Sequence, residues 1–305
     1  MSEPSPPTPL DRPHDRAKAI GLMLLALVLF SGLDAAAKYL ATVTRLPVAE
    51  IVWVRFVVQF VLILVLAPLL GLISLEGLFI TAKLKHQLFR SVLMVATTAF
   101  NFLALQHLRL DQTITIVFLA PLVVALLAGP VLGEWVGWRR LIAILIGFSG
   151  ILIVVRPGFD SVHPAVLYSL AAMLAYAIFM LATRYLSAYD PPLVTLFYSM
   201  FVGTLFGAPL ALAGWVWPPD ALSWILMGSL GILGGGGHWL FIHAYRLAPA
   251  SSIAPFLYTQ LLTMIALGWL VFGDVPDLWT LAGSLVIVGS GVYLFHRERL
   301  TTRTQ

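Results

Sequence analysis

The sequence predicts an all-α integral membrane protein with ten transmembrane helices arranged as two inverted five-helix repeats. Composition, the length of the apolar runs and a weak internal repeat lead to this prediction. Of the 305 residues, 60% are hydrophobic and only 10% are charged, and the mean hydropathy is +0.96. Soluble domains carry about 25% charged residues. This chain therefore cannot cover a water-exposed surface with polar groups.

The charge balance and the cysteine count narrow the possible partners. The net charge is +4 and the isoelectric point is near 9.5. The basic residues are scattered between apolar runs and form no stripe with interleaved aromatics, so nucleic acid is not expected as a partner. The chain has no cysteine, which excludes disulfides and cysteine-based metal sites. We expect a lipid bilayer and a small-molecule substrate as partners, and no cofactor or metal.

Charged residues and proline or glycine breaks divide the chain into ten apolar segments, most of them near the roughly 20 residues that cross a bilayer. The first domain, residues 19–156, contains the predicted helices 19–40, 48–72, 86–105, 113–132 and 139–155. The second domain, residues 163–296, contains the predicted helices 164–186, 193–216, 221–245, 251–272 and 278–295. Residues 1–18, rich in proline and basic side chains, are predicted to be a disordered cytoplasmic tail, and residues 297–305 are predicted to be a second cytoplasmic tail.

The distribution of lysine and arginine predicts the orientation in the membrane. Cytoplasmic loops carry an excess of these residues. With both termini cytoplasmic, thirteen of the eighteen basic residues fall at cytoplasmic ends: Arg12, Arg16, Lys18, Lys83, Lys85, Arg90, Arg139, Arg140, Arg184, Arg246, Arg297, Arg299 and Arg303. We therefore expect a protein of the inner (cytoplasmic) membrane with both tails in the cytoplasm.

Short matches between the two halves indicate a duplication. The sequence Ala-Lys-Tyr-Leu at 37–40 matches Thr-Arg-Tyr-Leu at 183–186, and Gly-Glu at 133–134 matches Gly-Asp at 273–274. The offset is about 140 to 146 residues. Because each half has an odd number of helices, the second copy enters the membrane from the opposite side. Inverted repeats of this kind are typical of secondary transporters, whose substrate sites lie near the membrane midplane between the repeats.

The sequence resembles the drug/metabolite transporter superfamily, and in particular its EamA-type ten-helix exporters. The resemblance covers nearly the whole chain and is carried by Arg55-Phe56, Pro121 and the two Gly-acid pairs. The family often has a second proline in the ninth helix, where this chain has Gln260-Leu261. The profile is similar to YddG-type amino-acid exporters. It implies broadly selective export of amino acids, including aromatic and hydrophobic ones, or related metabolites by alternating access; carriers of riboflavin, S-adenosylmethionine or nucleotide sugars remain alternatives.

Charged residues within the apolar segments are the first candidates for a site, because a charge near the bilayer centre costs about 2.5 to 3.5 kcal/mol on insertion scales. Arg55 is the strongest candidate for holding a substrate carboxylate, although it could instead reach the interface or pair with Glu50 or Asp34. Asp34 and Lys38 are four residues apart and can pair along one helix face. Either they neutralise each other, or protonation of Asp34 frees Lys38 for the substrate. Asp34, Glu50 and His107 are the candidates for energy coupling.

The remaining candidates for substrate binding are aromatic and polar side chains at deep positions. Four consecutive glycines at 234–237 weaken a helix and allow close approach of a ligand or another backbone. The candidates that complete the set with Arg55 and Lys38 are Phe30, Asn101, Tyr176, Tyr198, His238, Trp239, Tyr258 and Gln260. Packing between helices is the alternative role for each of them.

One short motif raises the possibility of an enzyme. The sequence Gly-Phe-Ser-Gly at 147–150 matches the Gly-x-Ser-Gly of rhomboid-type intramembrane serine hydrolases. However, Ser149-Gly150 has a counterpart in Ser290-Gly291, which indicates a packing face of small residues. We therefore expect no enzymatic activity. A monomer and a homodimer both remain open, because small-residue spacings serve association within or between chains.

Overall fold

In the computed structural model of the chain, the described residues are 13–120, 123–124, 126–127, 138–155, 163–186, 189–247, 256–257 and 259–302. Within them the protein is all-helical. The helices are α1 (Pro13–Thr42), α2 (Val48–Leu69), α3 (Leu75–Phe79), α4 (Leu84–Leu105), α5 (Leu110–Val117), α6 (Trp138–Val155), α7 (Val166–Leu186), α8 (Pro192–Ala213), α9 (Ala221–Leu247), α10 (Thr259–Phe272) and α11 (Leu278–Thr302).

Five of these helices contain a stretch that is long and apolar enough to cross a membrane. The stretches are Ala17–Thr42, Val48–Leu69, Leu84–Leu105, Val166–Thr183 and Pro192–Ala213. Two shorter apolar stretches, Thr259–Phe272 and Leu278–Ser290, belong to α10 and α11. The predicted segments 113–132 and 251–272 each lie partly outside the described residues, so the number ten stays a prediction.

Several helices extend beyond the segments that hydropathy predicted, whereas α2 and α8 end three residues before theirs. α1 begins at Pro13, so residues 13–18 are helical and not part of a disordered tail, and α11 continues to Thr302. Hydropathy identifies the part of a helix inside the hydrocarbon, whereas backbone hydrogen bonds continue into the polar region. Proline is tolerated at a helix start because the first N–H groups have no intrahelical partner. The single turn of α3 was not predicted; Ser74 Oγ caps it by accepting from the Gly77 N–H at 3.1 Å.

The main helix contacts join the first half of the chain to the second. α1 packs against α9, α4 against α7, α2 against α8, α5 against α10 and α6 against α11. α2 also contacts α9, and α4 contacts α8. The centre of the molecule is therefore formed by helices of both halves rather than by either half alone.

Glycines of α9 allow this helix to lie unusually close to α1 and α2. A Cβ added to Gly231 would lie 2.6 Å from Val58 Cβ and 2.8 Å from the backbone N of Gln59. A Cβ on Gly237 would lie 2.6 Å from Cε1 of Phe30. Small residues permit such close backbone approach between membrane helices. As a result, α9 presents backbone instead of side chains to the polar residues of α2.

Candidate functional site

A polar centre lies where α1, α2 and α4 meet. The Arg55 side chain is buried, with 6% of the residue exposed, and its Nη1 donates to Thr98 Oγ1 at 2.7 Å. Asn101 Nδ2 donates to Asp34 Oδ1 at 3.0 Å. Arg55 and Asp34 also attract each other electrostatically. A buried cation without compensation is costly, so Asp34 and Thr98 together make an arginine tolerable at this depth.

Aromatic and imidazole side chains surround this centre. The Phe30 and His238 rings pack edge to face with centroids 5.0 Å apart, and His238 lies within electrostatic range of Arg55. Asp34, Tyr176 and His238 are each partly buried.

Lys38 does not pair with Asp34. Its Nζ lies 2.9 Å from Oδ2 of Asp274, which follows α10, and donates to the Leu108 carbonyl at 3.2 Å. The ammonium also lies 4.7 Å from the Phe272 ring centroid. Spacing along α1 allowed an Asp34–Lys38 pair, but neighbouring helices offer each side chain a better-placed partner. Lys38 thus joins α1 to the turn between α10 and α11.

A second polar cluster joins the α2–α4 connection to the α7–α8 connection. Asp190 Oδ2 accepts from Thr81 Oγ1 at 2.5 Å and from Gln87 Nε2 at 2.7 Å, and Oδ1 accepts from the Ala82 N–H at 3.0 Å. Burial alone would raise the pKa of Asp190, but these hydrogen bonds outweigh it and hold the pKa below its usual value. The sequence prediction missed this cluster. Its one local signal is an aspartate directly before two prolines, at 190–192.

The lowered pKa of Asp190 predicts an acid sensitivity. The ionised carboxylate stabilises the fold fully above the ordinary aspartate pKa of about 3.9, and this contribution is lost as the pH falls toward the lowered folded value. At neutral pH, Asp190→Asn should cost about 1 kcal/mol. Melting curves of the purified protein should show the gap between wild type and variant closing below about pH 4. Identical melting at every pH would contradict the assignment.

Arg90 strengthens the same region from α4. Its Nε donates to Thr183 Oγ1 and its Nη1 donates to Ser199 Oγ, both at 2.7 Å. The guanidinium also lies 4.3 Å from the Phe179 ring centroid. Sequence reasoning had counted Arg90 only as an orientation signal. The structure uses it to hold α4 against α7 and α8.

Three predicted candidates make their contacts away from the polar centre. Glu50 Oε2 accepts from the Val216 N–H at 3.0 Å. Tyr198 donates its hydroxyl to the Phe79 carbonyl at 2.8 Å. His107 is exposed and stacks on His163 with centroids 4.9 Å apart. In this conformation, Glu50 holds the segment after α8, Tyr198 holds α3 against α8, and His107 and His163 join two loops.

The other predicted residues fall in different places. Gln260 is partly buried on α10. Trp239 lies on α9, where its ring contacts that of His243 at a centroid distance of 4.3 Å. Tyr258 and Pro121, as well as Gly133-Glu134, lie outside the described residues.

A cavity of about 410 Å³ opens between α2, α8 and α9. Leucine and isoleucine side chains form most of its wall, but Gln59, Gly235, Gly236 and Trp239 also line it. Small-molecule sites typically occupy about 300–1,000 Å³. Sequence reasoning missed Gln59, although it lies one helical turn after Arg55, and an amide in an apolar segment requires a partner.

Ser149 has the surroundings of a packing or lipid-facing residue. It is exposed on α6, and its Oγ donates to the Ile146 carbonyl of the same helix at 2.7 Å. No histidine contacts it within the described part of the chain. A Cβ on Gly150 would lie 2.9 Å from the Gly283 carbonyl oxygen of α11. The motif thus contributes a close contact between α6 and α11.

Curated relatives align with nearly the full chain. The riboflavin transporter of Vibrio cholerae is 29% identical, over 93% of this chain and 94% of the relative. The S-adenosylmethionine uptake transporter of Rickettsia prowazekii is 25% identical, over 90% and 92%. The pseudopaline exporter of Pseudomonas aeruginosa is 28% identical, over 91% and 96%. None of these names is that of an amino-acid exporter, so they do not support the amino-acid part of the prediction.

The family match confirms the predicted superfamily, and a structural match agrees with an all-helical fold. A solved crystal structure superposes with a TM-score of 0.64 at 17% identity, covering 92% of this chain and 97% of that chain. The sequence model of the EamA-like transporter family matches this chain twice, at residues 17–156 and 163–296. Together these matches cover most of the sequence. The chain therefore belongs to the EamA-like transporter family, within the drug/metabolite transporter superfamily.

Proposed function

We propose that this protein is a secondary transporter of the inner membrane that moves a small organic metabolite by alternating access. The observation that carries the proposal is the polar centre of Arg55, Asp34, Thr98 and Asn101, which α9 of the second half covers through its contacts with α1 and α2. Ionisable residues inside a membrane domain mark substrate or ion pathways. In this proposal both termini lie in the cytoplasm, and the protein performs no chemical conversion.

Two observations support ten helices arranged as inverted repeats. The family match occurs once in each half. In addition, the order along the chain pairs α1 with α7, α2 with α8, α4 with α9, α5 with α10 and α6 with α11. If the two halves are related by symmetry, the α1–α9 contact then has the α7–α4 contact as its equivalent. The α2–α8, α5–α10 and α6–α11 contacts map onto themselves, and all of these contacts occur. A pseudo-two-fold relation between the halves produces this pattern.

Two sets of polar contacts between the halves, here called the two ties, fit the closure of one side at a time that alternating access requires. In the proposed orientation, Lys38–Asp274 lies at the outer side, and the Asp190 cluster lies at the cytoplasmic side. Each connects a first-half helix or loop to a second-half loop. Rocking of one repeat against the other requires these ties to break in turn.

The substrate class follows from the centre and the relatives together. Arg55 offers hydrogen-bond donors to an anionic or carbonyl oxygen, and Phe30, Tyr176 and His238 offer ring surfaces. Heterocycle-bearing metabolites such as riboflavin or S-adenosylmethionine, named for two relatives, are therefore the first candidates. Broadly selective export of amino acids is the second candidate, because a guanidinium also pairs with a carboxylate.

Counterflow into proteoliposomes tests the proposed function. Vesicles preloaded with riboflavin, S-adenosylmethionine or an aromatic amino acid should take up the labelled form of the matching substrate, with saturation. Protein-free vesicles and the Ser149→Ala variant serve as controls, and the variant should transport normally. Flux without saturation or counterflow would indicate a channel and contradict the carrier. A proteolytic activity that is lost in Ser149→Ala, in a protein that shows no saturable counterflow, would favour the intramembrane hydrolase instead.

Breaking the Lys38–Asp274 ion pair should expose the centre to the outer side. Because the chain has no cysteine, an Asn101→Cys substitution introduces the only thiol. In that background, Lys38→Met should raise the labelling rate by an impermeant maleimide added outside by about three- to tenfold, the effect of roughly 1 kcal/mol on a two-state equilibrium. The Lys38→Asp/Asp274→Lys exchange should restore slow labelling. Unchanged labelling in Lys38→Met would contradict an outer closure at this pair.

A further inference from the structure

Basic and aromatic side chains meet at the ends of α4 and α7 that the proposed orientation places in the cytoplasm. The Lys83 ammonium lies 4.8 Å from the ring centroid of Tyr189. The Tyr185 ring contacts those of Tyr189 and His86, with centroid distances of 5.2 Å and 5.1 Å. Lys85, His86, Tyr185 and Tyr189 are exposed. Basic residues and tyrosines at the end of a membrane helix face the polar headgroups of the bilayer.

The positive charge of this surface is not neutralised within the described part of the chain. Neither Lys83 nor Lys85 forms an ion pair there, and the exposed Glu76 of α3 pairs with neither of them. The carboxylate of Asp190 is not available, because this residue is 7% exposed and both oxygens accept hydrogen bonds from the α2–α4 connection. The two lysines can therefore bind an anion from outside the protein.

Apolar rows run from this surface along both helices. On α4, Lys85, Phe89 and Val92 follow the spacing of one helix face, and Phe89 and Val92 are 55% and 57% exposed. On α7, Tyr185 and Ile178 are two turns apart, and both are 36% exposed. The two helices pack against each other, and both contain stretches long and apolar enough to span a membrane. An anionic phospholipid matches both parts, with a phosphate for the basic surface and acyl chains for the apolar rows.

We propose that Lys83, Lys85, Tyr185 and Tyr189, here called the headgroup site, bind the phosphate of an anionic phospholipid of the cytoplasmic leaflet, with its acyl chains along the apolar rows. The lysines supply the charge, and the tyrosine hydroxyls donate to phosphate oxygens. Basic pockets between membrane helices on the cytoplasmic side bind anionic headgroups. A soluble acidic protein would leave the apolar rows uncovered, and a zwitterionic lipid would leave the lysines without a net negative partner.

The headgroup site lies beside the cytoplasmic tie between the halves. The Lys83 N–H donates to Thr81 Oγ1 at 3.2 Å, and the same hydroxyl donates to Asp190 Oδ2 at 2.5 Å. Because Tyr189 directly precedes Asp190, a phosphate held by Lys83 and Tyr189 joins the same two connecting segments. A lipid that binds best when these segments lie together favours closure of the cytoplasmic side. This effect rests on the proposed alternating access and adds its regulation by lipid.

Native mass spectrometry of the full-length protein in detergent tests binding directly. The probes are phosphatidylglycerol and phosphatidylcholine with identical acyl chains. A lysine near the membrane surface changes the affinity for an anionic lipid about fivefold, which corresponds to about 1 kcal/mol. The wild type should therefore bind its first phosphatidylglycerol at least about fivefold more tightly than its first phosphatidylcholine. This comparison requires no variant and does not depend on whether a variant folds.

Variants assign the preference to named residues. The double variant Lys83→Gln/Lys85→Gln should lose most of the preference for phosphatidylglycerol and bind phosphatidylcholine as the wild type does. Tyr189→Phe keeps the ring beside Lys83 but removes the hydroxyl, so it should weaken phosphatidylglycerol binding about threefold. The matched control, Lys18→Gln, removes an exposed lysine of α1 and should retain the full preference.

A buried thiol reports the effect on closure. Ser91 is 0% exposed and lies one turn after Gln87, which donates to Asp190. In this cysteine-free chain, Ser91→Cys should react with N-ethylmaleimide only when the cytoplasmic side opens. This reagent is uncharged, so the surface potential of the lipid does not change its local concentration. Labelling should be about fivefold slower in phosphatidylglycerol nanodiscs than in phosphatidylcholine nanodiscs, and Lys83→Gln/Lys85→Gln should abolish the difference.

Several results would overturn the headgroup site. They are equal affinity of the wild type for the two lipids, a preference that survives in Lys83→Gln/Lys85→Gln, and a preference lost equally in Lys18→Gln, which means attraction by net charge only. Lipid binding as expected with equal labelling in the two nanodiscs would overturn the effect on closure. If counterflow of some solute persists without a lipid preference, only the headgroup site fails; absence of counterflow for every solute with the lipid preference intact means that the proposed transport function fails.

Discussion

Replacing Arg55 with alanine is expected to lower counterflow at least about thirtyfold, the largest effect of any substitution considered. The change removes the donor to Thr98 Oγ1 and the positive charge beside Asp34. A hydrogen bond to a charged group contributes about 1.5–3 kcal/mol; Arg55 makes one to Thr98 and is proposed to make another to the substrate, and 1.4 kcal/mol corresponds to a factor of ten. Initial rates of counterflow at fixed protein density in the vesicles measure the effect.

Two further variants separate charge from geometry at the same position. Arg55→Lys keeps the positive charge but cannot reproduce the planar donor set of arginine, so we expect partial activity with a raised KM. Thr98→Val removes only the 2.7 Å hydrogen bond and should reduce transport by about three- to tenfold. Normal counterflow by Arg55→Ala would remove this residue from the substrate path.

The second large effect is expected at Gly231, with Gly228 one turn earlier on α9 as its matched control. Alanine is favoured over glycine in a helix by about 1 kcal/mol. A Cβ at position 228 meets nothing within 4 Å, so Gly228→Ala should melt at or above the wild-type temperature. At position 231 the Cβ would meet Val58 Cβ at 2.6 Å and the Gln59 backbone N at 2.8 Å. Overpacking typically costs about 1–3 kcal/mol, so Gly231→Ala should melt lower.

Transport provides the second measurement for this pair of variants. Gly231→Ala pushes α9 away from α2, and this movement displaces Gln59 from the cavity wall and Arg55 from its contact with Gly234. We expect its counterflow to fall about tenfold, whereas Gly228→Ala should retain wild-type rates. Equal melting temperatures and equal rates for the two variants would mean that α2 and α9 do not lie as close in the membrane as in the structure.

Local sequence features were sufficient to predict the helical membrane fold and several buried residues. Apolar runs gave the segments because burial in hydrocarbon depends on composition. Arg55 and Asp34 were identified because a charge within an apolar run is costly wherever the helix packs. The partners of these residues were not predictable. Asp34 meets Asn101 and Lys38 meets Asp274, 67 and 236 positions away in the sequence.

The amino-acid sequence by itself determined the class of protein, the superfamily and the presence of charges inside the membrane domain. Hydrophobic length and the scarcity of charge carry that information without reference to packing. Only the tertiary structure decided which candidates meet: it joined Arg55 to Thr98 and gave Glu50 and Tyr198 backbone partners away from the polar centre. It also brought Gln59 and the glycines of α9 to one cavity. The physical reason is that a hydrogen-bond partner is selected by distance and direction between helices, which no periodicity within one helix specifies.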